Sequence, residues 1–438
     1  MSAAAAVGVL GWALWQGHPG DLEPTLHADS RSYAEWPEPF EIRGTRIMGQ
    51  RPPVYPLFLA AIEDETSISN VQAAISVLSF GLLGWVLGAW LGVAACVLIA
   101  LSPHVWMWNR ILISESLSIS LAAVGLATTL LLCRRRSLPR WIAWALALAG
   151  LGLVRDLNVI LIPFLVLPVA WMQRRVAVPL ATGAVVLAAG IFDISVHDRG
   201  HWACLNVVLA RVLPDPEARD FFRERGMPLR EEIERHSGKV TVKDHRELTK
   251  DAPDFVKWVF DHGRSTYVTW LATHPAAAWR AMDFYASLDD VDLVSRFASR
   301  MEPPLPARIT RLAWAWPRMP SLTLLSVVAA AWCLLLGLRS RRAGRGIASV
   351  EPRSALALCT LCAAVFMVLG AYHGDGLADT RHMVPSMILH RLGALLLIAS
   401  LAAELAGHLF PALERTLGVE RGVIERGTGV GGRDPARS

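Results

Sequence analysis

Apolar stretches recur along almost the whole chain and are separated by short polar or basic links. They fall at 2–16, 69–88, 90–103, 113–133, 141–154, 158–173, 176–195, 321–338, 354–372 and 384–405. A perpendicular membrane crossing needs about 20 residues, so several of these borrow flanking residues or pair as tight hairpins. The pattern predicts about ten transmembrane helices in an all-α polytopic membrane protein. One long interruption, 196–320, holds most of the His, Asp and Glu. It reads as a mostly helical exoplasmic domain inserted between the seventh and eighth spans.

The domain plan is then a transmembrane module at 1–195 containing a polar loop at 17–68, the inserted domain at 196–320, C-terminal transmembrane helices at 321–405, and a Gly-rich tail at 406–438 that reads as a disordered cytoplasmic end. The N-terminal stretch Met1–Trp15 has no basic residue and no clear cleavage site, so it is kept as a first span rather than a signal peptide. Inside the inserted domain, Asp215-Pro216-Glu217 predicts an N-cap, a first helical proline and a favourable acid, with Gly226 closing the helix. Pro228 is expected to open another helix ending at His236 and Gly238, followed by helices at 252–261, 264–273 and 276–287.

Composition supports this picture: of 438 residues, 53% are hydrophobic and only 18% charged, and mean hydropathy is positive, which excludes an ordinary soluble protein. The formal charge of +5 does not point to nucleic acid, because the basic residues cluster between apolar segments. Arg134-Arg135-Arg136 with Arg140, Arg174-Arg175, and Arg339 to Arg345 all fall on one side of a ten-span layout, and the positive-inside rule makes that side cytoplasmic. The polar loop, the link 104–112, Arg155-Asp156, the inserted domain and the turn 373–383 then share the opposite face of a plasma (inner) membrane. Five of the six cysteines lie in apolar spans and only Cys204 in the inserted domain, so no disulfide framework is available. Cys359 and Cys362 read as packed side chains.

Candidate chemistry gathers at the polar face. Asp29, soon after the first span, is placed to act as a general base; as an alternative it caps a short interfacial helix beginning at Ser30. Glu35 and Glu38 are nearby substitutes. Arg51, stiffened by Pro52-Pro53, can hold phosphate oxygens through a two-pronged bond or rest among lipid headgroups. Tyr55 is a phosphate partner or an interfacial anchor. Glu115 opens a span and needs a cation, for which Arg110 and Arg51 are at hand. Arg155-Asp156 and Arg381-His382 lie at other outer edges, so basic groups from separate spans converge. His373, Asp375 and Asp379 read as a polar turn. No metal ligand set is identified, although a divalent metal is compatible with the chemistry, and no cofactor is assigned.

Asp29-x-x-x-Tyr33, Arg51-Pro52-Pro53-Val54-Tyr55-Pro56-Leu57, Ser114-Glu115-Ser116-Leu117 and Arg381-His382-Met383-Val384-Pro385, taken in that order, resemble the GT-C superfamily of membrane glycosyltransferases, in its protein O-mannosyltransferase and lipid A aminoarabinose transferase branch. The likeness covers about the first 130 residues. It implies inverting transfer of a sugar from a polyprenyl-phosphate donor to a glycan, lipid or protein acceptor on the extracytoplasmic face, within a membrane-lipid setting. Carried over, Asp29 would be the base, Arg51 would contact the donor phosphate, and Glu115 and Arg381 would complete the pocket. On the residues alone, Tyr55 and Arg381 are further donor-phosphate contacts, and Arg110, Arg155 and His382 support the pocket. The chain departs from the family at Gln50, where a second acid is frequent. The strings Leu213-Pro214-Asp215-Pro216-Glu217 and Gly226-Met227-Pro228 are similar to actinobacterial membrane proteins and name no substrate. A lipid-linked glycan transporter or flippase is the first rival class, expected to show broken helices at the midplane and repeat symmetry. The second is an O-antigen ligase or polymerase.

Overall fold

The computed structural model describes Ser30, Tyr33, and residues 40–42, 45–47, 51–62, 64–172, 176–196, 199–288, 322–342, 351–374 and 380–416. It is a helical membrane protein. Among the described residues, six helices are long and apolar enough to cross a bilayer: Glu65–Gly88, Glu115–Arg134, Ala177–Ile194, Leu322–Ser340, Pro352–Gly374 and Arg381–Ala406. The expected span at 2–16 lies outside the described residues.

In chain order the helices are α1 (Val54–Ala60), α2 (Glu65–Ala100), α3 (Pro103–Asn109), α4 (Glu115–Arg134), α5 (Leu138–Val154), a 3-10 turn at Asp156–Ile160 leading into α6 (Leu161–Met172), and α7 (Ala177–Val196). The inserted domain follows: α8 (Arg199–Val207), α9 (Pro216–Arg223), α10 (Glu231–Glu234), α11 (Val242–Asp251), α12 (Pro253–Trp258), α13 (Arg264–Thr273) and α14 (Pro275–Ser287). Three long helices close the chain, α15 (Leu322–Arg342), α16 (Pro352–Gly374) and α17 (Thr380–Thr416). A two-stranded antiparallel hairpin, Phe40–Ile42 with Thr45–Ile47 in the register Phe40 to Ile47, adds a β element that the all-α expectation did not contain.

The separate apolar stretches at 69–88 and 90–103 are the two arms of α2, which folds back on itself. A Cβ placed on Gly84 would lie 2.5 Å from the Gly92 carbonyl oxygen, and one on Gly92 would lie 2.2 Å from that of Gly84. Eight residues of straight helix would separate these positions by about 12 Å, so the chain reverses between them, and only glycine permits the approach. The reversal leaves the Val86 carbonyl to accept a hydrogen bond from Arg134 Nη1 at 2.7 Å.

The returning arm is too short to cross: from Gly92 to Leu101 it rises roughly 15 Å, about half a bilayer core. The stretch 101–114 completes the climb as α3 and irregular backbone. Residues 104–112, expected as a short link on the outer face, are buried in protein. Non-helical backbone at membrane depth requires partners. Ser69 donates to the Asn109 carbonyl at 3.0 Å, and Gln72 Nε2 donates to the carbonyls of Asn109 and Ile111 at 3.0 and 3.2 Å.

Helix α4 is the hub of the core. Its buried face meets both arms of α2, together with α5, α6 and α16. Asn158 ties the α5–α6 junction to it, accepting from Ser118 and donating to the Leu151 carbonyl. The outer helices α7 and α15 instead present Val185, Phe192 and Leu334, each about two-thirds exposed, as suits a surface facing hydrocarbon tails.

The inserted domain has its own core, built on Leu205, Val208, Phe222, Phe255, Val259 and Trp270. Asp215 caps α9 through the amides of Glu217 and Ala218, Pro216 is its first residue, and Gly226 takes φ +89° just beyond its end, as the sequence predicts. Pro228 does not open a helix: α10 is a single turn at Glu231–Glu234, and α11 begins at a capping box between Thr241 and Asp244. The expected break at Gly263 is absent, because a π-turn at Val259–Gly263 carries α12 directly into α13. Ala281 and Met282 of α14 join the transmembrane core, which seats the domain on α16. The tail assignment also shifts, since α17 continues to Thr416.

Candidate functional site

Glu115 is the first residue of α4 and is 2% exposed. A carboxylate at that depth demands cations, and two arginines from distant helices reach the same oxygen. Arg155 Nη2 lies 3.4 Å and Arg381 Nε 3.2 Å from Glu115 Oε1. Arg155 terminates α5 and Arg381 stands in the first turn of α17, so three elements deliver one acid and two guanidinium groups to one end of the bundle. Both contacts are ion pairs without hydrogen-bond alignment, and Arg155 Nη1 is buried with no hydrogen-bond partner. Arg381 is held from its other side, since its Nη2 donates to His382 Nε2 at 2.9 Å.

The polar first loop is tied to this cluster. The Tyr33 hydroxyl and the Ser114 hydroxyl are 2.9 Å apart, one residue from Glu115. The Arg51 guanidinium sits 4.9 Å from the centre of the Tyr33 ring, within cation–π range. Burial raises the Tyr33 phenol above its ordinary pKa, the Glu115 carboxylate adds to the rise, and Arg51 only partly opposes them. Tyr33 therefore stays a neutral hydrogen-bonding group at physiological pH.

The sequence-predicted residues separate on this frame. Glu115, Arg155, Arg381 and His382 come together, and Arg51 joins through Tyr33. The cations paired with Glu115 are Arg155 and Arg381 rather than the expected Arg110 and Arg51. Arg110 is buried at the C-cap of α3. Tyr55 is fully buried, packs edge-on against Tyr33 and donates its hydroxyl to Gln72 Oε1 at 2.9 Å, a core position closed to an incoming phosphate. Asp29, Glu35, Glu38 and Gln50 lie outside the described residues, as do Asp375 and Asp379. His373 is committed elsewhere: its Nε2 donates to the Ala278 carbonyl at 2.9 Å, so in the neutral ring Nδ1 accepts from the Tyr267 hydroxyl at 2.7 Å.

Polar groups beyond the expected set are buried in the bundle. Arg391, ten residues into α17 from Arg381, is 4% exposed and lies 3.3 Å from His104 Nδ1. The returning arm of α2 is what sets His104 at that depth. An ionisable residue inside an apolar span was the available signal. In the inserted domain His236, Asp244 and Glu247 offer ligand atoms within 4.8 Å of one another. Asp244 is already engaged there, bonded to His236 Nδ1 at 2.9 Å and to both the amide and hydroxyl of Thr241. Burial acts to raise the Asp244 carboxyl, but those bonds outweigh it and hold it below its ordinary value. Asp244 and His236 read as a hydrogen-bonded helix cap, with Glu247 3.9 Å from His236 Nε2.

Fold and site together define a helical membrane protein with a buried acid–guanidinium cluster at one end of its bundle. No family model, curated protein or solved structure matches the chain.

Proposed function

We propose that the protein is an inverting glycosyltransferase of GT-C type, moving a sugar from a polyprenyl-phosphate donor to an acceptor at the extracytoplasmic face of the inner membrane. The observation that carries this reading is the meeting of Arg155 and Arg381 on a single oxygen of Glu115, with the first loop fastened alongside through Tyr33 and Ser114. Among the described residues, two guanidinium groups meet one carboxylate, a balance suited to a donor phosphate. Glu115 positions the arginines, and Arg51 approaches from the loop side. The base in this proposal is Asp29, which the loop would carry towards the same face. Arg381, braced between Glu115 and His382, would hold phosphate oxygens as the sugar leaves.

The direct test is sugar transfer from a polyprenyl-phosphate donor in membranes containing Asp29→Asn. A positioned general base contributes about 10²–10⁴-fold, and a loss of that size is expected while donor binding persists. Unchanged turnover removes Asp29 as base. Loss of donor binding in Arg381→Lys, with the fold intact, tests the phosphate role separately.

A further inference from the structure

A second polar cavity, of about 450 Å³, opens where the inserted domain meets the end of α16. Its wall includes Arg211, Asp215, Tyr267, Trp270, Arg280 and His373. That volume lies within the range of small-molecule sites.

Arg211 is the unusual member. It falls in a π-turn at Val208–Val212, a distortion frequent at functional positions. Its guanidinium carbon lies over the Tyr372 ring, 3.9 Å from the ring centre, and 5.8 Å from that of Phe284. Its Nε and Nη2 are buried and make no hydrogen bond. These two nitrogens form one edge of the guanidinium, the edge that grips two oxygens of a phosphate or carboxylate side by side. A buried cation with its gripping edge unmet costs stability unless something fills it.

The other charges do not fill it. Asp215 is committed to Arg280 and to the α9 amides. His373 has both nitrogens engaged. Among the described residues the wall thus offers two guanidinium groups against one carboxylate, and its free valence is for an anion. Tyr372 and His373 stand at the end of a helix long and apolar enough to cross a membrane, which makes an anionic lipid headgroup one candidate ligand.

We infer that this cavity is an anion site in which Arg211, backed by Tyr372, shifts so that its Nε and Nη2 edge, sealed from solvent in this structure, meets a phosphate group. The phosphate comes from a soluble phosphate monoester or from an anionic lipid headgroup. The site is separate from the Glu115 cluster, and its existence does not depend on the sugar-transfer reading.

The test uses the purified full chain in detergent. Binding of radiolabelled inorganic phosphate is measured by equilibrium dialysis for the native protein, Arg211→Gln and Arg211→Lys. Lysine keeps the charge and the stem but loses the two-pronged edge, so it remains informative if glutamine prevents folding. In parallel, native mass spectrometry follows adducts of phosphatidylglycerol and phosphatidylcholine. Saturable phosphate binding weakened about tenfold or more in Arg211→Lys assigns a soluble ligand. Selective phosphatidylglycerol adducts lost in the same variant assign a headgroup. Absence of both in the native protein, or equal binding by the native and Arg211→Lys proteins, overturns the inference.

Discussion

Glu115 Oε1 and Arg381 Nε lie 3.2 Å apart across 266 positions of sequence, one at the start of α4 and the other at the start of α17. The contact joins the hub helix of the bundle to its last long helix, and Arg155 closes the cluster from a third side.

Replacing Glu115 by Gln removes the carboxylate that, among the described residues, these two guanidinium groups share in a nearly dry site. Breaking a buried ion pair from one side costs about 3–5 kcal/mol. The midpoint of thermal unfolding in detergent should fall, and Glu115→Gln combined with Arg381→Met should recover part of the loss, because the second change removes one stranded charge. A double variant no more stable than Glu115→Gln alone would show that the pair is not coupled.

Tyr33→Phe should cost about 0.5–1.5 kcal/mol, the net value of one hydrogen bond, while leaving the ring beneath Arg51. Tyr33→Ala removes ring and hydroxyl together and should cost more. The pH dependence has a defined sign. Burial raises the phenol pKa in the folded state, so above the ordinary value of 10.0 the unfolded chain releases the proton and the folded one keeps it. Stability is whole below pH 10 and falls as pH rises beyond it. Burial does the same to Tyr267. Denaturant titrations of native protein and Tyr33→Phe from pH 9 to 11 should therefore converge as pH rises.

Asp215 both caps α9 and pairs with Arg280. Burial pushes its carboxyl up, but the Arg280 bond and the Ala218 and Glu217 amides outweigh that and hold it below the ordinary 3.8. Its contribution is present above pH 3.8 and is lost as pH falls through the lowered value. Asp215→Asn keeps a capping oxygen and loses the ion pair, so it should be the milder change. Asp215→Ala should cost a further 0.5–2 kcal/mol or about that. Helical content and unfolding of the two variants at pH 7 check the order.

Gly84→Ala and Gly92→Ala each place a methyl group against the opposing backbone and should destabilise by about 1–3 kcal/mol or more. Gly81, in the same arm with nothing within 4 Å of an added Cβ, should accept alanine with a gain of about 0.5–1 kcal/mol. Monodispersity and unfolding midpoint after purification distinguish the two outcomes.

The sequence made legible whatever is local. Span 113–133 was readable because a 20-residue apolar run carries its own signal, and the observed α4 starts at Glu115 and ends at Arg134. Asp215-Pro216 was readable because a cap and a first-turn proline act on neighbouring backbone. The reversal of α2 was legible as the break between the stretches 69–88 and 90–103, but the contact between two glycines eight residues apart on which it rests was not. Nor was the choice of Arg155 and Arg381 over Arg110 as partners of Glu115, which only the packing of α5 and α17 against α4 decides. Tyr55 looked interfacial beside Pro53 and Pro56, yet Gln72 gives its hydroxyl a partner inside the core. Arg211 stands in the apolar run Val207-Val208-Leu209-Ala210-Arg211-Val212-Leu213, a lone charge among apolar neighbours and so a signal of the same kind as Glu115.

The capping of the Val86 carbonyl by Arg134 also bears on the order in which the chain is made. The reversal in α2 is synthesised 48 residues before the side chain that satisfies it. While the ribosome is still extending α4, the young hairpin lacks the Arg134 hydrogen bond to its bend. A nascent chain arrested just short of Arg134 should hold that bend loosely, and release of a few more residues should lock it.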